Sequence, residues 1–232
     1  MVTKTNKENA NMKKRFKNLA YASIVTIFGC AILENAVAAA QNGAVNASTS
    51  AHRGIYIDGN GGWGYINVNS NSYVDPLTGA PATSVTNNSF AWSADAGYQF
   101  NKNIGIEAGY ISFGTSRANT TYSSMKDTFG GFDAMLKGIL PVNDRCGFLI
   151  KIGAADINDD GSATVGSVSG QGNGSAWTPL LGLGTFYEFT RGFTVNLQDI
   201  YSVKTNYTKD NLNLAIPDLN ALMLGLSYKF SV

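Results

Sequence analysis

The chain has 232 residues, 17 Lys/Arg against 16 Asp/Glu, and only 14% charged residues. That is enough for one domain plus a leader, and far too little net charge to hold a polyanion such as nucleic acid. After the first 40 residues no stretch supplies the roughly 18 consecutive apolar residues of a membrane-crossing helix, so low charge with 26 glycines leaves an all-β chain.

The N-terminus has the grammar of export. Met12-Lys13-Lys14-Arg15-Phe16-Lys17 is a basic n-region, and Leu19 to Leu33 is an apolar h-region. Ala36-Val37-Ala38 and Ala38-Ala39-Ala40 each put small residues at the −3 and −1 positions, which predicts a signal peptide over 1–40 cut after Ala38 or Ala40. Met12 could serve as the start as well as Met1. Residues 41–53 are small and polar and read as a flexible lead-in to a domain over 54–232. Loss of residues 1–40 removes six basic and two acidic groups, leaving eleven and fourteen, a net charge of about −3. Of the two cysteines, Cys30 lies in the leader, so Cys146 has no intrachain partner in the mature chain. Ile27-Phe28-Gly29-Cys30 is a poor lipoprotein box, because Phe28 fits badly before Gly29.

Eight segments alternate strictly, as strands with one greasy face do. Strand one places Ile55, Ile57, Trp63 and Tyr65 on one face and Tyr56, Asp58 and Asn60 on the other. Strand two sets Phe90, Trp92, Ala94, Ala96, Tyr98 and Phe100 against Ser93, Asp95, Gly97 and Gln99. Strand three sets Ile104, Ile106, Ala108 and Tyr110 against Gly105, Glu107 and Gly109. Strand four sets Phe132, Ala134, Leu136 and Leu140 against Asp133, Met135 and Lys137. Strand five sets Cys146, Phe148, Ile150 and Ile152 against Leu149 and Lys151. Strand six, about 176–189, sets Leu181, Leu183, Tyr187 and Phe189 against Gly182, Gly184 and Glu188. Pro179, with no amide donor, belongs near its outer end. Strand seven sets Phe193, Val195, Leu197 and Tyr201 against Thr194, Asn196, Gln198 and Ser202. The last strand, 221–232, sets Leu222, Leu224, Leu226, Tyr228, Phe230 and Val232 against Gly225, Ser227 and Lys229.

Between them, polar stretches at 66–89, 114–126, 156–175 and 204–218 read as long loops, alternating with short turns at 101–103, 141–145 and 190–192. This layout predicts an eight-stranded antiparallel up-and-down transmembrane β-barrel with four long extracellular loops and three short periplasmic turns. An even strand number puts both termini on the periplasmic side.

The terminal strand, ending Tyr228-Lys229-Phe230-Ser231-Val232, resembles that of bacterial outer-membrane barrels, where the last residues serve as an insertion signal. Asn103-Ile104-Gly105-Ile106-Glu107-Ala108-Gly109-Tyr110 resembles the third strand of OmpA-like eight-stranded barrels. Trp177-Thr178-Pro179-Leu180-Leu181-Gly182-Leu183-Gly184, with Tyr187-Glu188-Phe189, resembles their sixth. The resemblance covers nearly all of 54–232. It implies Tyr228, Phe230 and Val232 as the C-terminal insertion signal, a Gram-negative outer-membrane location, and as partners membrane lipid, lipopolysaccharide and the barrel-assembly machinery.

A soluble eight-stranded barrel would have an apolar interior. Here one face carries Asp58, Asp95, Glu107, Asp133, Lys137, Lys151, Glu188 and Lys229, and the other is nearly free of charge. A basic group facing hydrocarbon at the midplane costs roughly 2–4 kcal/mol. The charged face is therefore the lumen, with Glu107 predicted to pair with Lys137 and with Lys229 and Asp58 near the closing seam. Asp199 breaks the pattern, since parity puts it on the lipid face.

No catalytic constellation is visible. The single histidine, His52, precedes strand one, away from the loop side where histidine-dependent outer-membrane enzymes work. Gly59-Asn60-Gly61-Gly62-Trp63-Gly64 fits G-x-G-x-x-G but lies in a strand with no helix after it, so no nucleotide cofactor is expected. Asp156, Asn158 and Asp160, with Gly161, match the first half of a calcium loop, but its last ligand position is Ser167 instead of Glu. The sequence thus predicts a non-enzymatic barrel without cofactor, acting through its loops on host or neighbouring-cell surfaces. A narrow channel for small solutes is the alternative, and an envelope enzyme acting on lipid is a more distant one.

Overall fold

The computed structural model describes residues 53–68, 73–75, 77–209 and 212–230. The predicted leader, the lead-in up to His52, and Val232 of the insertion signal lie outside them. Eleven strands are present: β1 (Gly54–Asn67), β2 (Ser84–Thr86), β3 (Asn88–Gln99), β4 (Ile104–Asn119), β5 (Ser123–Pro141), β6 (Cys146–Val165), β7 (Val168–Thr190), β8 (Phe193–Ser202), β9 (Thr205–Lys209), β10 (Leu212–Ile216) and β11 (Asp218–Lys229). Eight of them, β1, β3 to β8 and β11, pair antiparallel with their neighbours. The ring closes where Asp58 faces Ser227 and Trp63 faces Leu222 across β1–β11. Closure leaves no unpaired edge in the ring. No helix among the described residues is long and apolar enough to cross a membrane.

Extensions of β4 to β7 and the extra strands β9 and β10 correct three of the four expected loops. Residues 114–126 are the upper part of a β4–β5 hairpin, paired up to Asn119–Ser124. Residues 156–175 are a β6–β7 hairpin zipped to Val165–Val168, turning at Gly166. Residues 205–209 and 212–216 form a separate antiparallel pair of strands, β9 and β10. Serine, threonine and glycine suggested loops because periodicity vanishes when both faces of a strand are polar. In the first connection, 68–87, the described residues outside β2 are not in strands, and β2 is added beside the end of β4.

Each strand turns the face rich in Ile, Leu and aromatics outward. Trp63 is 67% exposed and Phe132 72%, whereas Asp58 and Glu107 are almost fully buried. Aromatics gather at two levels. Near the short turns, Tyr98–Phe100, Phe189–Phe193, Phe193–Tyr228 and Tyr228–Phe230 make ring contacts. Toward the loop end, Trp92–Tyr110 and Tyr110–Phe132 do the same, level with Trp177 on β7 through Phe132–Asp156–Trp177. An apolar band between two aromatic girdles is the surface of a barrel set in lipid.

Two irregularities have local causes. The ladder between β4 and β5 slips between Ser112 and Gly114. Gly114 has φ +95°, and a side chain there would strike the Ser89 hydroxyl. Phe113 keeps the inward parity of Glu107 and Ile111 and is fully buried, and the bulge after it switches the inward positions to Ser116 and Ala118, leaving Arg117 outward. Pro179 lies mid-strand in β7, because β7 runs far beyond the expected start. Its carbonyl accepts from Val203 N (3.1 Å), just past the last β7–β8 pair, Leu180–Ser202. The missing amide therefore points where β8 has already left the ladder.

Candidate functional site

The lumen is layered by the register. On one level Lys137 of β5 faces Lys151 of β6, flanked by Gly105 on β4 and Gly182 on β7. One rung toward the loop end lies Glu107 of β4, between Gly97 and Met135. Glu107 forms an ion pair with Lys151 and lies 3.5 Å from Lys137. Tyr56 of β1 donates its hydroxyl to Glu107 Oε2 (2.9 Å), and the Lys137 ammonium sits 4.3 Å from the centre of the Tyr56 ring. The glycines make room for this cluster: a side chain at Gly97 would overlap Tyr56, and one at Gly182 would crowd Lys151.

The next level is acidic. Asp58 faces Asp95 across β1–β3, and Asp133 faces Gly109 across β4–β5. Asn196 donates to Asp58 (3.1 Å), and Asn60 donates to Ser93 (2.9 Å), which donates to Asp95 (2.9 Å). The buried acceptor oxygens of Asn60, Asn196 and Gln198 have no donor among the described residues.

Two of the eight predicted lumen charges stand apart, and this corrects the sequence reading. Glu188 lies at the turn end and accepts from Gly192 N (3.3 Å). Lys229, opposite Tyr56 on the seam, has no carboxylate within 4.0 Å among the described residues. Both inward positions lie near the turn-end mouth.

Toward the loop end the lumen is apolar, which the expectation of a polar interior did not contain. Phe113, Phe129, Ile111, Ile157, Ile66, Leu219, Ile216 and Met223 form a buried cluster above the ionic layers. Fully burying each large side chain contributes about 1.5–3 kcal/mol. Phe113 enters it on the same odd parity as Glu107 and Ile111. Parity pointed to Tyr56, Asn60, Asn196 and Gln198 as inward residues, but their partners depend on the stagger between strands. The only available signal for the apolar plug was odd-position Ile111, Phe113, Phe129 and Ile157.

Above the plug, loop-side groups close over carboxylates. Asp75 in the first connection is buried and accepts from Thr120 Oγ1 (2.6 Å), Leu77 N (2.9 Å), Thr78 N (3.2 Å) and Tyr122 N (3.3 Å). The Thr120 hydroxyl leads in holding its carboxyl below the usual range. Tyr73 donates to Asp127 (2.8 Å), and Tyr207 of β9 packs over Gly174. Burial first, then the Asp127 and Asp160 charges, push Asp159 up to about 6. Burial likewise raises Asp127.

The predicted calcium half-loop is corrected. Asp156, Asn158 and Asp160 are on strand β6, on successive outward rungs, where they cannot wrap an ion; among the described residues no cluster of three acid, His or Cys groups could hold a metal. Asp199 does face outward. It accepts from Asn220 Nδ2 (2.6 Å) and lies between Leu222 of β11 and Leu183 of β7 on the outer face, its charge shared with the Asn220 amide. The outward wall changes character at the row Tyr110–Phe132–Asp156–Trp177. Beyond it, the outward positions of β4 to β7 carry only Ser, Thr, Asn, Gln, Gly, Asp, Arg and Lys.

A family model described as the OmpA-like transmembrane domain matches residues 50–232. Among solved structures, Neisserial surface protein A is 13% identical with a TM-score of 0.50, covering 76% of this chain and 97% of that one. OprG of Pseudomonas aeruginosa is 14% identical with a TM-score of 0.50, covering 78% and 98%. Ail, the attachment invasion locus protein of Yersinia pestis, is 12% identical with a TM-score of 0.49, covering 78% and 100%. No curated protein matches the chain in sequence.

Proposed function

This chain belongs to the OmpA-like transmembrane-domain family and is an outer-membrane β-barrel, and from that premise we propose that it is a non-enzymatic surface protein whose extended loop end contacts molecules outside the cell. The loop end is read as extracellular and both termini as periplasmic, because long connections lie at one end and short turns at the other. Tyr228 and Phe230 near the C-terminus are read as its signal to the barrel-assembly machinery, with membrane lipid and lipopolysaccharide as its surroundings.

The observation that carries the reading is the double closure of the lumen. The Glu107–Lys137–Lys151 layer and the apolar cluster around Phe113 fill the interior one above the other. An interior of eight strands is just wide enough to be filled this way. What remains available for work is the loop end. There a depression of about 460 Å³ is lined by Asn119, Thr120, Tyr122, Ser123, Ser124 and Thr164, groups suited to hydrogen bonding with glycans or proteins. A deletion strain tests the proposal: binding to host or neighbouring-cell surfaces, or envelope integrity, should fall. Unchanged values of both would overturn it.

A narrow channel is the second reading. It is favoured by the buried acceptors of Asn60, Asn196 and Gln198 that lack protein donors. Planar-bilayer recording decides between the two, and conductance above background from the wild-type barrel would favour the channel.

A further inference from the structure

Arg117 of β4 and Lys126 of β5 are directly opposite each other and both exposed on the outer wall. Like charges at opposed ladder positions are unfavourable. Neither has a carboxylate within 4.0 Å among the described residues. Asp160, on the same face of β6, is one rung nearer the aromatic row, opposite Thr128, and pairs with neither. The flanks of the pair are hydroxyls: Thr86 of β2 beside Arg117, and Ser162 of β6 beside Lys126.

Position selects the ligand. The pair lies on the same outward face that is buried in hydrocarbon lower down, a few rungs past the row Tyr110–Phe132–Asp156–Trp177. A sideways-facing surface just above the hydrocarbon meets the head groups of the lipids that surround the barrel, not a ligand approaching from above. Its composition, hydroxyls and amides with two adjacent cations, complements sugars that carry phosphate. Arg offers a planar fork to a phosphate and Lys a point charge.

We propose that Arg117 and Lys126 form a phosphate clamp on the barrel's outer wall that docks a phosphorylated glycolipid, lipopolysaccharide, alongside the polar extensions of β4 to β7. The inference rests on the extracellular reading of the loop end. Bound glycolipid would offset the repulsion between the two cations, so their pairing in the ladder is matched to a lipid-bound state.

The test uses the full mature barrel in phosphatidylcholine nanodiscs, titrated with rough-type lipopolysaccharide and with the same material dephosphorylated. The wild type is expected to prefer the phosphorylated form by about tenfold or more, and the R117S/K126S variant to lose that preference. Heat-modifiable migration verifies that the variant is folded; if it is not, the wild-type comparison alone still decides. Equal wild-type affinity for the two forms, retention of the preference by the folded variant, or displacement by inorganic phosphate at equimolar concentration would overturn the clamp. Protease cleavage at the Gly166 hairpin in intact cells reports separately on orientation: protection there would overturn the extracellular reading, whatever the nanodisc result.

Discussion

Lys137 and Lys151 stand directly opposite one another on β5 and β6, both pointing into the lumen, and among the described residues the one carboxylate that both ammonium groups contact is Glu107. The arrangement is a triad in which one anion holds two cations that would otherwise repel. Removing one partner of a buried ion pair costs about 3–5 kcal/mol, because the remaining charge is left in a poor solvent. Glu107→Gln should therefore lower the urea midpoint of unfolding in detergent micelles by a large margin. Adding Lys151→Met should recover part of the loss by removing the second cation. An E107Q barrel as stable as the wild type would show that the triad contributes nothing to folding.

Phe113 is the test of the upper plug. It is fully buried among Ile111, Phe129 and Ile157, at a level the ionic triad does not reach. Phe113→Ala should destabilise the barrel by about 3–5 kcal/mol, the cost of lost burial plus the cavity left behind. It should not raise planar-bilayer conductance, since the Lys137–Lys151–Glu107 layer still fills the section below. A clear increase in conductance would mean that Phe113, and not the charges, is the barrier.

Gly114 carries the bulge that follows Phe113 and turns Ser116 and Ala118 inward. Its φ of +95° and its approach to Ser89 leave no room for a Cβ. Gly114→Ala should cost about 1–3 kcal/mol from backbone strain alone, and Ser89→Ala in the same chain should return only the part due to the clash. Full rescue by Ser89→Ala would show that the backbone is unstrained.

The fold was legible because period-two alternation survives wherever one face meets lipid. Ile104, Ile106 and Tyr110 against Glu107 need no further information to be assigned to opposite sides. Glu107–Lys137 could be proposed from their depths, since Glu107 lies about four residues after the turn at 101–103 and Lys137 about four before the turn at 141–145. Lys151 as the closer partner could not, because it depends on the stagger between β5 and β6, which sequence does not print. The hairpin extensions at 114–126 and 156–175 were read as loops for the same reason in reverse. Above the lipid both faces of a strand are polar, and Thr115 to Asn119 look like coil. Parity puts Glu188 on the inward face, but it cannot show that the ladder is irregular between Glu188 and Thr190, where the carboxylate accepts from Gly192 N at the turn.

The carboxylates beneath the loops should make the loop end respond to pH. Asp159 lies above the plug, beyond the loop-side girdle, and titrates at about 6 because burial, then Asp127 and Asp160, disfavour its charge. Its folded value is above the ordinary 3.8. The folded state therefore holds a proton that the unfolded chain has released between those two values. Stability from this group is greatest below about pH 4 and falls as pH rises through 6. The group is partly open to solvent, so the effect is about 1 kcal/mol after screening. Comparing wild type with Asp159→Asn isolates it from other titrating groups. The wild type should lose stability relative to the variant between pH 4 and 7, and Asp127→Asn should shrink that loss by removing the like charge with the larger effect. A constant difference between wild type and D159N across the range would show that Asp159 is ordinarily solvated and that Tyr73 and Tyr207 do not cover the carboxylates below them.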